Sequence, residues 1–151
     1  VNWKAALVLL VCTLIQGPTV ASNSDAVTHR EWKFLCTELR SLGYDRVNCR
    51  RIEKPTVVIT TAVKDIAAPG WELYGVTYDG EPYVLINPDL DQETTRMVIV
   101  HETVHYVLWQ FYGNGIGDCE SERVARKVHH AWDKTDYALD KWESDYGCKG
   151  R

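Results

Sequence analysis

The chain has no Cys-x-x-Cys pair, no cluster of basic residues and no apolar run long enough to cross a bilayer, and each absence closes off a class of function. Without paired cysteines at close spacing, a cysteine-ligated zinc site lacks its usual framework. Without a basic cluster, and with a formal net charge of −4, the chain does not suit nucleic acid or anionic lipid as a partner. The longest apolar stretch, Ala5 to Ile15, is about half of the roughly 20 residues that a membrane span needs. There is no internal repeat and no low-complexity tract, so neither a solenoid nor a disordered linker is expected.

What is present is one domain's worth of chain: 151 residues, 45% of them hydrophobic, enough for a single core. Lys4 precedes the apolar stretch, and Gln16-Gly17-Pro18 and the small residues Thr19, Ala21 and Ser22 follow it. This is the order of a secretory signal peptide with cleavage after Ala21, leaving a mature domain over 22–151 that is secreted or periplasmic. An uncleaved anchor is the alternative. The residues before Cys12, Leu10 and Val11, lack the small side chain of a lipoprotein acceptor, so no lipid anchor and no stable membrane insertion is expected once residues 1–21 are removed. Those residues hold one lysine and no acid, which takes the mature charge from −4 to −5. Four cysteines remain, and an even number in an exported domain reads as two disulfides. Of the three connectivities, Cys36–Cys49 with Cys119–Cys148 closes two local loops and fits best.

Helical spacing starts after Thr28, where Trp32, Leu35, Cys36, Leu39 and Leu42 recur every three or four residues, with Thr28 as cap and Gly43 as stop. Thr56 to Val63 is β-branched and short, a strand. Trp71 to Tyr78 and Tyr83 to Asn87 flank Asp79-Gly80, which favours a tight hairpin turn, so a small antiparallel sheet of about three strands is expected. A helix over Gln92 to Tyr112 follows, capped by Asp89 or Asp91 and stopped by Gly113-Asn114-Gly115-Ile116-Gly117. Another helix begins near Asp118 or Cys119, with Val124, Val128 and Trp132 at apolar spacing, and a last helical stretch covers Tyr137 to Tyr146. The fold class is α+β: an N-terminal helix, a small sheet, a long helix, then C-terminal helices.

The long helix carries His101-Glu102-Thr103-Val104-His105. Two imidazoles four residues apart project from one face and can share a zinc ion, while the glutamate between them reaches the water that such an ion holds. Met97, Val98, His101, His105 and Leu108 share that face. A face so apolar must be buried, and two buried imidazoles without a partner are costly. Catalytic zinc takes three protein ligands and leaves a fourth position open. The pattern that adds Gly and His three and six residues beyond the second histidine is excluded, because Leu108 and Phe111 stand there. A carboxylate from the following helix is the other source, with Glu122 ahead of Glu120 and of Asp118.

With these residues the chain resembles the gluzincin class of zinc metallopeptidases. The resemblance runs from Tyr83 to about Val128 and includes His101-Glu102-Thr103-Val104-His105 and Glu122-Arg123-Val124-Ala125, which is similar to the Glu-x-x-Ala element of compact gluzincin families. It implies a zincin-like domain, Zn2+ held by His101, His105 and Glu122, Glu102 as general base, and a peptide or protein substrate. A donor to the developing oxyanion is implied as well, with His129 first among His129, His130, Tyr106 and Tyr137. The strand Tyr83 to Asn87 is expected to be the edge along which an extended peptide lies. The sequence departs from the family at Arg126, where many members carry an aspartate that orients a ligand histidine. Two other readings share these ligands: a non-catalytic zincin-like module that keeps zinc for stability, and a zinc hydrolase or amidase acting on cell-wall peptide.

Overall fold

The structure, a computed structural model, describes residues 26–67 and 73–134. Helix α1 (His29–Ser41) begins at Thr28 with a full capping box: Glu31 N–H donates to Thr28 Oγ1, and Thr28 N–H donates back to Glu31 Oε2 at 2.8 Å. Glu31 is 4% exposed and also pairs with Arg96 on a later helix, so the cap is tied to the core. Leu35 and Leu39 are fully buried from the stripe that the spacing predicted. A disulfide joins Cys36 on this helix to Cys49, across a 13-residue separation. Closing a loop of that size is worth about 3 kcal/mol by loop entropy. Cys119 is also disulfide-bonded, whereas Cys148, its expected partner, lies outside the described residues, as do the proposed leader and the helical stretch Tyr137 to Tyr146.

Strand β1 (Thr56–Ile59) is half the length expected. After Thr60, whose hydroxyl accepts from Ala62 N–H, the chain turns into a short helix α2 (Ala62–Ile66) that buries Val63 and is pinned by a Lys64–Asp89 ion pair. β-Branching in Thr60-Thr61-Ala62-Val63 thus yields to a local side-chain bond that starts a turn. Strands β2 (Gly75–Thr77) and β3 (Tyr83–Ile86) flank a turn in which Gly80 has φ +81.

The sheet order is β1-β3-β2, with β1 parallel and β2 antiparallel to β3. This corrects two expectations: the sheet is mixed, and β3 is its central strand, not the edge. The reason is the pairing at its two edges, with β1 along one and β2 along the other, while Val84 and Ile86 are fully buried on one face of the strand. The edge beside the later helices is β2, three residues long.

Helix α3 (Gln92–Tyr112) is capped by Asp91, whose Oδ1 accepts from Thr94 N–H at 2.8 Å. It packs on β2 and β3 at one side and on helix α4 (Asp118–Asp133) at the other. Its residues from Val98 to Val100 and Glu102 to Leu108 are buried, because this helix is the centre of the domain and not a surface helix. It ends at Gly113, φ +51, from which a short 3-10 turn (Gly113–Gly115) leads back antiparallel into α4. Val124, Ala125 and Val128 of α4 join Val104, Val107 and Leu108 of α3 and Leu35 and Leu39 of α1 in one core.

Candidate metal centre

Three ring and carboxylate atoms from α3 and α4 converge. His101 and His105, one turn apart on α3, bring their Nε2 atoms to 3.2 Å of each other. Glu122, in the second turn of α4, places Oε2 3.2 Å from His101 Nε2 and 3.0 Å from His105 Nε2. These three residues form a group that could hold a metal ion. The hairpin explains the convergence, since the turn at Gly113–Gly115 reverses the chain and sets the start of α4 beside the motif. Glu120 is not part of the group: it is exposed, and its Oε1 accepts from Tyr44 hydroxyl at 2.8 Å.

The electrostatics favour positive charge beside the Glu122 carboxylate. Burial works against charge on His101, yet the Glu122 carboxylate holds its pKa above the ordinary imidazole value. Burial likewise works against the Glu122 carboxylate, and the two imidazoles overcome it, so that Glu122 titrates well below the usual carboxylate range. A metal ion or shared protons would satisfy three facing acceptors equally in sign.

Each of the three has a supporting contact, all from α4. His105 Nδ1 lies 2.7 Å from Ser121 Oγ. His101 Nδ1 lies 3.0 Å from His129 Nδ1. Burial first, then the neighbouring His101, pushes His129 down to about 4, so His129 is neutral near pH 7 and can accept from His101 Nδ1. With Nδ1 so engaged, His101 would meet a metal ion through Nε2, on the side of Glu122 and His105. The third contact is Arg126, whose Nε donates to Glu122 Oε1 at 2.9 Å.

Glu102 faces the other way, toward the sheet. It is 8% exposed, and its Oε2 accepts from Thr77 hydroxyl on β2 at 2.8 Å. Gly75 makes this approach possible: a Cβ there would fall 2.8 Å from Glu102 Cγ and 2.7 Å from Val98 Cγ1. A cleft of about 700 Å³ opens over these groups. His101, Glu102, His105 and Glu122 line it together with Tyr74 and the β2 residues Gly75 to Thr77, and Trp109, stacked at 5.6 Å on the His105 ring, forms part of its apolar wall.

The structure brings together His101, His105 and Glu122, while Glu102 lines the same cleft with its carboxylate held by Thr77. It places His129 against His101, with the two Nδ1 atoms 3.0 Å apart, and among the residues that line the cleft. Of the other candidate donors, Tyr106 hydroxyl is committed to the Glu53 carbonyl at 3.1 Å, and Tyr137 lies outside the described residues. Sequence reasoning missed Gly75, Thr77 and Ser121. Thr77 and Gly75 are ordinary residues of a short strand by pattern, and only adjacency to Glu122 marks Ser121. No protein family, curated protein or solved structure matches this chain.

Proposed function

We propose that this chain is an exported zinc metallopeptidase of zincin type, with His101, His105 and Glu122 as metal ligands and Glu102 as general base. The observation that carries the reading is the near-equilateral triangle of donor atoms, with edges of 3.0, 3.2 and 3.2 Å. Ligands held 2.0–2.1 Å from a tetrahedral zinc ion stand about 3.3 Å apart, so the residues present fit that ion. Two imidazoles and one carboxylate are also a donor set typical of catalytic zinc, which leaves the fourth position to face the cleft.

When bound, zinc supplies Lewis acidity that polarises a carbonyl and makes water acidic enough to attack near neutral pH. Glu102 takes the proton from the attacking water and returns it to the leaving amine. Thr77 hydroxyl fixes one Glu102 oxygen, which restricts the carboxylate to one orientation for that transfer. An extended peptide is the substrate that suits the edge of β2 that no strand pairs among the described residues. The Asn87 N–H bond to the Tyr74 carbonyl sets the alternation of the β2–β3 ladder, so Gly75 and Thr77 turn their N–H and C=O groups away from β3 and over the cleft side. The Cys36–Cys49 disulfide supports an oxidising compartment, and no helix among the described residues is long and apolar enough to cross a membrane.

The test compares the parent with Glu102→Gln, by metal analysis and by cleavage of unfolded protein substrates. The expected outcome is one zinc per chain in both and hydrolysis in the parent alone, lowered by several orders of magnitude in the variant. Absence of zinc in both sinks the metal centre. Zinc in both with no hydrolysis in the parent favours a non-catalytic module.

A further inference from the structure

The two oxygens of Glu122 have separate partners. Oε2 faces the two histidine rings, and Oε1 accepts from Arg126 Nε at 2.9 Å, one turn along the same helix. Both side chains are largely withdrawn from solvent, Glu122 at 22% and Arg126 at 16% exposure, so the pair is weakly screened and its geometry is set by α4. The other two supports are different in kind: a hydroxyl behind His105 and a neutral imidazole behind His101. A carboxylate free to rotate beside a divalent ion can chelate it with both oxygens, which raises the coordination number and fills the position that a catalytic site leaves open.

Resting on the metal-centre reading above, we infer that Arg126 is a positioning residue that holds Glu122 as a one-oxygen ligand and keeps its second oxygen out of the coordination sphere. Charge-assisted bonds to a carboxylate are about twice as strong as neutral ones. Arg126 also brings a positive charge near the cation, and by charge alone its removal would tighten metal binding. The two effects have opposite sign, which makes them separable.

The experiment loads the parent and the variants Arg126→Leu and Arg126→Gln with Co2+ in place of zinc, recording the visible spectrum and the affinity by competition with a chelator, with far-UV circular dichroism to confirm folding. The parent is expected to show the intense bands of four-coordinate cobalt. Arg126→Leu is expected to show the weaker bands of five-coordinate cobalt and an affinity lower by about 10–100-fold, the usual loss for a support of this kind. Arg126→Gln, whose amide can still donate to Oε1, is expected to recover most of both. Arg126→Met replaces the leucine variant if that fails to fold. A parent-like spectrum and affinity in Arg126→Leu, or tighter binding in both the leucine and glutamine variants, overturns the inference and leaves the metal centre standing. A parent that takes up no Co2+ overturns both.

Discussion

Replacing Gly75 with alanine would push β2 and the motif helix apart at the point where Glu102 is held. The new methyl carbon would fall 2.7 Å from Val98 Cγ1 and 2.8 Å from Glu102 Cγ, against about 3.5–4.0 Å for carbon atoms in contact. Gly75 does not use a positive φ, so the cost is steric and not conformational. Overpacking a buried contact typically costs about 1–3 kcal/mol. Alanine offsets about 0.4–1 kcal/mol of that by restricting the unfolded chain. The net loss is therefore about 0–2.6 kcal/mol, or a fall in Tm of up to about 10 °C at roughly 4 °C per kcal/mol for a chain of this size. Activity should fall further than stability, because a shift of about 1 Å in a reacting group costs on the order of 100-fold. Zinc content should not change, since the three atoms nearest the methyl group belong to Val98 and Glu102 and not to the histidines or Glu122. Thermal unfolding, metal analysis and kcat/KM on one peptide substrate read the three quantities. Val98→Ala added to Gly75→Ala should cost less than the sum of the two single changes, because it removes one of the two clashes. A Gly75→Ala protein with parental Tm and parental kcat/KM would refute the reasoning, as would loss of zinc.

Two further predictions concern stability. Glu31→Ala removes the carboxylate that pairs with Arg96 and the side-chain half of the α1 capping box together; breaking a buried pair costs about 3–5 kcal/mol, and the lower end applies because Arg96 keeps 23% exposure and its bond to the Ala26 carbonyl. A shift in denaturant midpoint equivalent to less than about 1 kcal/mol would contradict the role given to this pair. In the metal-free protein, stability should peak near pH 6.5. His129, depressed to about 4, stays neutral while the unfolded chain gains a proton, so stability falls as pH drops from about 6.5 toward 4, by at most about 1.4 kcal/mol per pH unit. His101 is raised, so its contribution is complete below about 6.5 and is lost as pH rises through its folded pKa. Zinc should abolish the alkaline fall, because a bound His101 no longer takes a proton; a Tm-against-pH series with and without zinc checks this, and a monotonic metal-free curve would contradict it.

The elements that could be read from the sequence are those whose signals are local and redundant. The motif helix has an aspartate cap, unbroken apolar periodicity and a glycine stop, and the structure gives it the same bounds, Gln92–Tyr112. α1 was legible for the same reason, through Thr28 and Gly43. The sheet was less so, because strand order is a non-local property: the hairpin signal at Asp79-Gly80 pairs β2 with β3 but says nothing of β1. The central place of β3 rests on hydrogen bonding at both of its edges, which the side-chain pattern of Tyr83-Val84-Leu85-Ile86 does not encode. Glu122 could be ranked above Glu120 from helix phase, and the structure explains the difference, since Tyr44 occupies Glu120 on another face. Arg126 read as a missing acid because the expected support was for a histidine; here the histidines are held by Ser121 and His129, and position 126 serves the carboxylate instead.

Under the proposed function, the placement of these supports separates metal binding from catalysis within the domain. The third ligand and all three supporting contacts come from α4, at Ser121, Glu122, Arg126 and His129, and the other two ligands lie on α3. The helical hairpin therefore contains the whole metal centre among the described residues. Glu102, on the same helix as the histidines, is held from the opposite side by Thr77 at the sheet edge. A protein that kept zinc for stability alone would need the hairpin and would gain nothing from a strand brought close enough to exclude even a methyl group at Gly75. The buried Thr77–Glu102 contact is therefore the feature of this domain that favours a working base, and Thr77→Val should leave zinc in place while lowering turnover. Zinc loss in Thr77→Val would mean that the sheet and the metal centre are coupled after all.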